Sequence, residues 1–117
     1  MSTHFEINKK VVDNIQIFSI IGELDALVAP DFKEEIDNAF KSKFVNIIID
    51  FKESTHINSL GMGILVSKLR EVKLINGDIK LINLSKHINT IFEMIGLSEL
   101  FEIFTSETEA LNSFKKK

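Results

Sequence analysis

The run Val45-Asn46-Ile47-Ile48-Ile49-Asp50, followed by Thr55-His56-Ile57-Asn58-Ser59-Leu60-Gly61-Met62-Gly63-Ile64-Leu65, decides the fold. Its first part is short, β-branched and almost continuously apolar, the pattern of a central strand covered on both faces. Its second part opens a helix predicted from about Ser59 to Lys73, with Leu65, Leu69 and Val72 along one side and Met62 and Val66 nearby. A small polar residue at such a junction sits beside backbone N–H groups that have no partner within the helix. That setting suits a plain cap, or a place where a phosphate becomes stable.

Upstream, segments around Phe5–Lys9 and Asn14–Ile21, separated by Val11-Val12-Asp13-Asn14, are predicted to pair as a hairpin. Gly22-Glu23-Leu24-Asp25-Ala26 leads to Ala29-Pro30-Asp31, where proline fits a first helical turn and the aspartate favours the positive end of the dipole. Phe32, Ile36, Ala39 and Phe40 recur at helical spacing, and Glu34, Glu35 and Asp37 read as solvated. Downstream, Asn76-Gly77 signals a turn before a strand at Ile79–Ile82. Ser85 is a cap for a helix carrying Ile88, Ile91, Phe92 and Ile95, which Gly96 ends. Phe101–Phe104 reads as the last strand, and Ser106-Glu107-Thr108-Glu109 as a capping box opening a helix with Ala110, Leu111 and Phe114.

The predicted order is therefore ββαβαβαβα: an α/β fold whose mixed sheet has an N-terminal hairpin and then parallel strands, with about four helices in one domain over residues 1–117. No repeat, linker or low-complexity segment interrupts it.

Composition narrows the function. A hydrophobic fraction of 44% and a charged fraction of 26% are those of an ordinary globular chain. A net charge of −3 gives no basic footprint for nucleic acid, and the closing Lys115 to Lys117 reads as a solvated end. Without cysteine there are no disulfides, thiolate metal sites or cysteine nucleophile. No apolar run is long enough to span a membrane. The start Met1-Ser2-Thr3-His4-Phe5-Glu6 lacks the features of a secretion signal, so a cytoplasmic protein is expected.

Catalysis finds little support. His4, His56 and His87 read as surface or loop residues, and no histidine pair has metal-ligand spacing. His56 is too close in sequence to Ser59 to suggest a triad, and the nucleophile-elbow pattern is absent. Gly61-Met62-Gly63 is only a fragment of a phosphate cradle; two glycines within a helical pattern more often admit another backbone. No enzyme activity, cofactor or metal is expected.

Gly22-Glu23-Leu24-Asp25-Ala26, Ala29-Pro30, Ile48-Ile49-Asp50 and Thr55–Leu65 resemble bacterial anti-sigma factor antagonists of the STAS domain family. Leu81-Ile82-Asn83-Leu84-Ser85, Ile91–Leu97 and Phe101-Glu102-Ile103-Phe104 continue the resemblance in the same order, over nearly the whole chain. It implies a binding module. Its partner would be an anti-sigma factor that is also an ATP-dependent serine kinase, and binding would release a sigma factor for transcription. The kinase would switch the module off by phosphorylating a serine at the start of the second helix, and a serine phosphatase would reverse this.

The family stretch usually reads Asp-Ser-Ser-Gly or Asp-Ser-Thr-Gly, its second hydroxyl residue taking the phosphate. Here Asn58, Ser59, Leu60 and Gly61 occupy those positions, so Leu60 stands in register with the phosphoacceptor. Either Ser59 is modified instead, or the module binds constitutively or under another control. A helix cap is the competing role for Ser59 and Asn58. Asp25 has two accounts, a partner contact implied by the resemblance and a turn residue bonding its own backbone. The expected contact set is Glu23, Asp25, Leu27, Asn58, Ser59, Leu60, Gly61 and Met62, on a monomer or weak homodimer. A scaffold in another signalling assembly, and a sensor holding a nucleotide or lipid beside Gly61, are the rival readings.

Overall fold

The computed structural model describes residues 5–115. Strands β1 (Glu6–Val12), β2 (Ile15–Ile21), β3 (Asn46–Glu53), β4 (Asp78–Ile82) and β5 (Ile103–Phe104) form one sheet in the order β1-β2-β3-β4-β5. β1 pairs antiparallel with β2, and every later neighbour is parallel. Helices α1 (Ala29–Lys41), α2 (Ser59–Lys73), α3 (Lys86–Met94) and α4 (Glu107–Lys115) complete the expected order, with a short 3-10 turn at Leu97–Glu99. The α/β class and the mixed sheet are as expected.

A sheet built by parallel crossovers that step in one direction places its connecting helices on one face, because each crossover is right-handed. The packing follows. Phe32 and Ile36 of α1, Leu65, Leu69 and Val72 of α2, and Ile88 and Phe92 of α3 share a core with Ile47, Ile49, Phe51, Ile79 and Leu81. On the opposite face, Ala110 of α4 packs with Ile15, Ile17, Ile48 and Ile82. β3 is thus buried on both sides, as its unbroken apolar run requires.

Some boundaries differ from the sequence reading. Val11 and Val12 belong to β1, so only Asp13 and Asn14 form the hairpin loop. Both have positive φ (52° and 67°), the two-residue turn whose twist matches the flanking strands. The last strand is only Ile103–Phe104, because Phe101 leaves the strand line to enter the core beside Phe92. The capping box is half formed: Ser106 accepts the Glu109 N–H, while the Glu109 carboxylate accepts from Thr105. At the Asn76-Gly77 turn, a Cβ on Gly77 would lie 2.1 Å from the Val45 carbonyl oxygen, so no larger residue fits there.

Asp37 is not merely solvated. It is half-buried and accepts hydrogen bonds from Lys33 and from Lys68, a lysine of α2 whose side chain is only 5% exposed. Glu71 pairs with the same ammonium at 3.0 Å. Burial raises the Asp37 carboxyl, but the hydrogen bonds and charges of Lys68 and Lys33 outweigh it and hold it below its ordinary value. Lys68 is lowered by burial and raised further by Asp37 and Glu71, ending above its usual value. His4, Lys116 and Lys117 lie outside the described residues.

Candidate functional site

The connections leaving β2 and β3 emerge at the same edge of the sheet, the C-terminal end of its parallel strands, where α/β folds commonly place their sites. Backbone hydrogen bonds join them. Gly22 N–H donates to the Glu53 carbonyl (3.1 Å), Leu24 N–H to His56 (3.0 Å), and Asn58 N–H to Leu24 (3.0 Å). Leu24 and Ile57 form a short parallel bridge, and both side chains are buried. The Leu24 side chain fills the space beside Gly61: a Cβ there would meet Leu24 Cγ and Cδ2 at 3.1 Å and Ile57 Cγ1 at 3.0 Å. Gly61 therefore admits a side chain, not another backbone, and nothing lies within 4 Å of the equivalent position on Gly63. The space directly beside Gly61 is taken up by the Leu24 and Ile57 side chains.

On this base, Asp25 Oδ1 accepts the N–H groups of Leu27 (3.0 Å) and Val28 (3.3 Å). Val28 offers no side-chain cap to α1, so the aspartate serves as the turn residue before that helix. The turn leaves Leu27 86% exposed, with Glu23 exposed nearby in sequence. α2 begins differently. Asn58 has extended backbone and its Oδ1 accepts the Gly61 N–H at 2.8 Å, which makes Asn58 the cap. Ser59 then occupies the first helical position, exposed, and its hydroxyl makes no hydrogen bond among the described residues. Leu60 follows, 48% exposed. Met62 is half-buried and packs against the core, and Gly61 is buried.

The expected residues thus divide. Glu23, Leu27, Ser59 and Leu60 reach solvent; Asp25 and Asn58 hold the two turns; Gly61 and Met62 belong mainly to the packing. Leu24, the residue that binds the two turns together, carried no signal beyond being an apolar residue in a turn. His56 and His87 stack with ring centroids 6.5 Å apart and planes at 15°, bringing the start of α3 beside the same loop. Their sequence separation gave no hint of it. Asp50, within β3, accepts from the Asn83 side-chain amide at 3.0 Å and from the Lys52 N–H, which ties β3 to the residue that follows β4.

The first turn of α2 contains no acidic residue, so the positive end of its dipole faces outward uncompensated by its own side chains. The Ser59 hydroxyl lies at that end of the helix, on an exposed residue. Among the described residues, no group of three histidine, cysteine, aspartate or glutamate side chains could hold a metal ion, and no helix is long and apolar enough to cross a membrane.

The family model described as the STAS domain matches residues 6–110. An anti-sigma-B factor antagonist of Listeria monocytogenes is 31% identical over 109 residues, covering 93% of this chain and 95% of the relative. The crystal structure of an anti-sigma factor antagonist from Mycobacterium paratuberculosis superposes with a TM-score of 0.88 at 17% identity, over 97% of this chain and 96% of the other. The phosphorylated form of the Bacillus cell fate determinant SpoIIAA gives a TM-score of 0.74 at 24% identity, over 95% and 99%.

Proposed function

The chain belongs to the STAS domain family, and we propose that it is a cytoplasmic anti-sigma factor antagonist, a STAS module over residues 1–117. It binds an anti-sigma factor that is also a serine kinase and so promotes sigma-dependent transcription. The name of its Listeria relative supports this reading. The observation that carries it is the joined pair of turns: backbone hydrogen bonds of Leu24 hold the Asp25 turn to the start of α2, and each of the two joined segments carries an exposed leucine, Leu27 on one and Leu60 on the other. Large exposed apolar side chains fixed on rigid turns are natural anchors for a protein partner. Catalysis belongs to the kinase partner.

Ser59 is the proposed acceptor of the kinase's phosphate, and a serine phosphatase removes it. Asn58 already caps α2, so modification of Ser59 sacrifices no hydrogen bond of the fold. A phosphate adds about −1.5 to −2 charges, which the N-terminal N–H groups and dipole of α2 tolerate. Against a partner surface fitted to a neutral hydroxyl and two leucines, the same charge costs about several kcal/mol through desolvation. The fold survives and the complex does not.

A second reading has its own observation. Leu60, in register with the family's phosphoacceptor, has no hydroxyl, which favours an antagonist that binds without a phosphate switch. Incubation with the anti-sigma kinase and ATP, followed by mass spectrometry, separates the two. Phosphate on Ser59 with loss of binding supports the switch; tight binding with no modification supports constitutive antagonism. Failure to bind any anti-sigma factor defeats both and favours a scaffold.

A further inference from the structure

Four of the five glycines are accounted for by the fold. Gly22 and Gly96 have positive φ (99° and 83°), Gly77 leaves no room for a Cβ against the Val45 carbonyl, and the space beside Gly61 is filled by Leu24 and Ile57. Gly63 is different. It lies inside α2 without positive φ, it is exposed, and a Cβ at this position would meet nothing within 4 Å. Inside a helix, glycine is less favourable than any residue but proline. The fold gains no turn, close approach or packing from having it there.

Its place on the helix gives the missing side chain a meaning. Residues three and four apart are neighbours on a helix surface, so position 63 adjoins both Leu60 and Ser59, each of them exposed. Helical side chains lean toward the N-terminus and cover the turn before their own Cα. Any side chain at position 63 would therefore lie over the first turn of α2, between Ser59 and Leu60 and a molecule approaching them. With glycine there, that turn stays bare and the helix backbone itself is open to contact.

We infer that Gly63 is a specificity-determining contact of the partner-binding face: the anti-sigma factor closes over the first turn of α2 and packs against the helix backbone at Gly63, in the space that a side chain would fill. Such a contact presupposes the proposed antagonist function and adds to it a position that favours docking over stability. The two glycines of α2 then make room for different neighbours, Gly61 for the fold's own side chains and Gly63 for the partner's.

Calorimetric titration of an anti-sigma factor kinase into the parent chain, Gly63→Ala and Gly63→Leu, paired with urea unfolding of each, tests this. Both variants should unfold at higher urea than the parent, because alanine and leucine are better helix formers at an open, exposed position. Both should nevertheless bind more weakly, by at least about fivefold for alanine and about fiftyfold for leucine, as overpacking of a fitted contact does. A merely structural position would move stability and affinity together, not in opposite directions. Asn112→Ala, an exposed substitution in α4 on the opposite face of the sheet, should leave affinity unchanged. Affinity equal to the parent's in both Gly63 variants, or a Gly63→Ala chain less stable than the parent, would overturn the contact and leave the antagonist function standing. A parent chain that binds no anti-sigma factor would overturn that function, and the contact with it.

Discussion

The Leu24 side chain occupies the space that any Cβ on Gly61 would enter, with Leu24 Cγ and Cδ2 only 3.1 Å from that position. This contact fixes where α2 starts relative to the Asp25 turn. It also sets two glycines of one helix apart. Gly61→Ala gains about 1 kcal/mol of helix propensity but must displace Leu24 and Ile57, an overpacking cost of about 1–3 kcal/mol. It is expected to be net destabilising. Gly63→Ala meets nothing within 4 Å and is expected to stabilise by about 0.5–1 kcal/mol. Urea denaturation of both variants measures the contrast.

Asn58 and Ser59 are adjacent, but only the first supports the fold. Asn58→Ala removes the acceptor for the Gly61 N–H and is expected to cost about 1 kcal/mol. Ser59→Ala is expected to change stability by less than about 0.5 kcal/mol, as for other surface substitutions. Equal losses from the two in thermal or chemical unfolding would contradict the assignment of the cap.

The path of the strands and four helices is readable in the sequence because apolar periodicity reports burial directly. Ile47–Ile49 and the Leu65/Leu69/Val72 stripe read as they fold. Phe101 did not, since an apolar residue before a short edge strand reads like part of it while its ring serves the core. The burial of Lys68 is hidden in the sequence for a similar reason. Its burial depends on Asp37, 31 residues away on a different helix, and no local pattern encodes that pairing. At the site, the polar residues were visible as turn and cap types. The residue that joins the two turns, Leu24, was not, because its role consists of backbone bonds to His56 and Asn58 that only the tertiary arrangement creates.

The Asp37–Lys68 pair gives stability a defined pH window. Asp37 titrates below its ordinary value in the fold, so its contribution is present above about pH 4 and is lost as pH falls through the lowered value. Lys68 titrates above its ordinary value, so its contribution is present below about pH 10 and is lost as pH rises through the raised value. Asp37→Asn is expected to cost about 1–2 kcal/mol at pH 7, discounted because Asp37 and Glu71 remain partly hydrated. Its unfolding free energy should also fall less steeply than the parent's between pH 5 and the acid transition. Parallel acid limbs in urea titrations at several pH values would contradict the pairing.

Position alone can be separated from recognition at the phosphoacceptor register. Leu60→Ser places a hydroxyl where the family usually carries one. Exposed as it is at the second helical position, Ser at 60 is expected to become phosphorylated by the anti-sigma kinase, read by mass spectrometry. Absence of phosphate there, with Ser59 modified in the parent, would show that this kinase reads the preceding position.

Calorimetric titration of the anti-sigma factor into the parent, Leu27→Asp and Leu60→Asp, with Asn112→Asp on the opposite face of the sheet as control, addresses the docking face most directly. The parent and the control should bind alike, and each leucine variant should lose at least about tenfold in affinity, as truncation or charging of an anchor does. Binding that survives both leucine substitutions undiminished would mean that the partner engages this protein somewhere other than the paired turns.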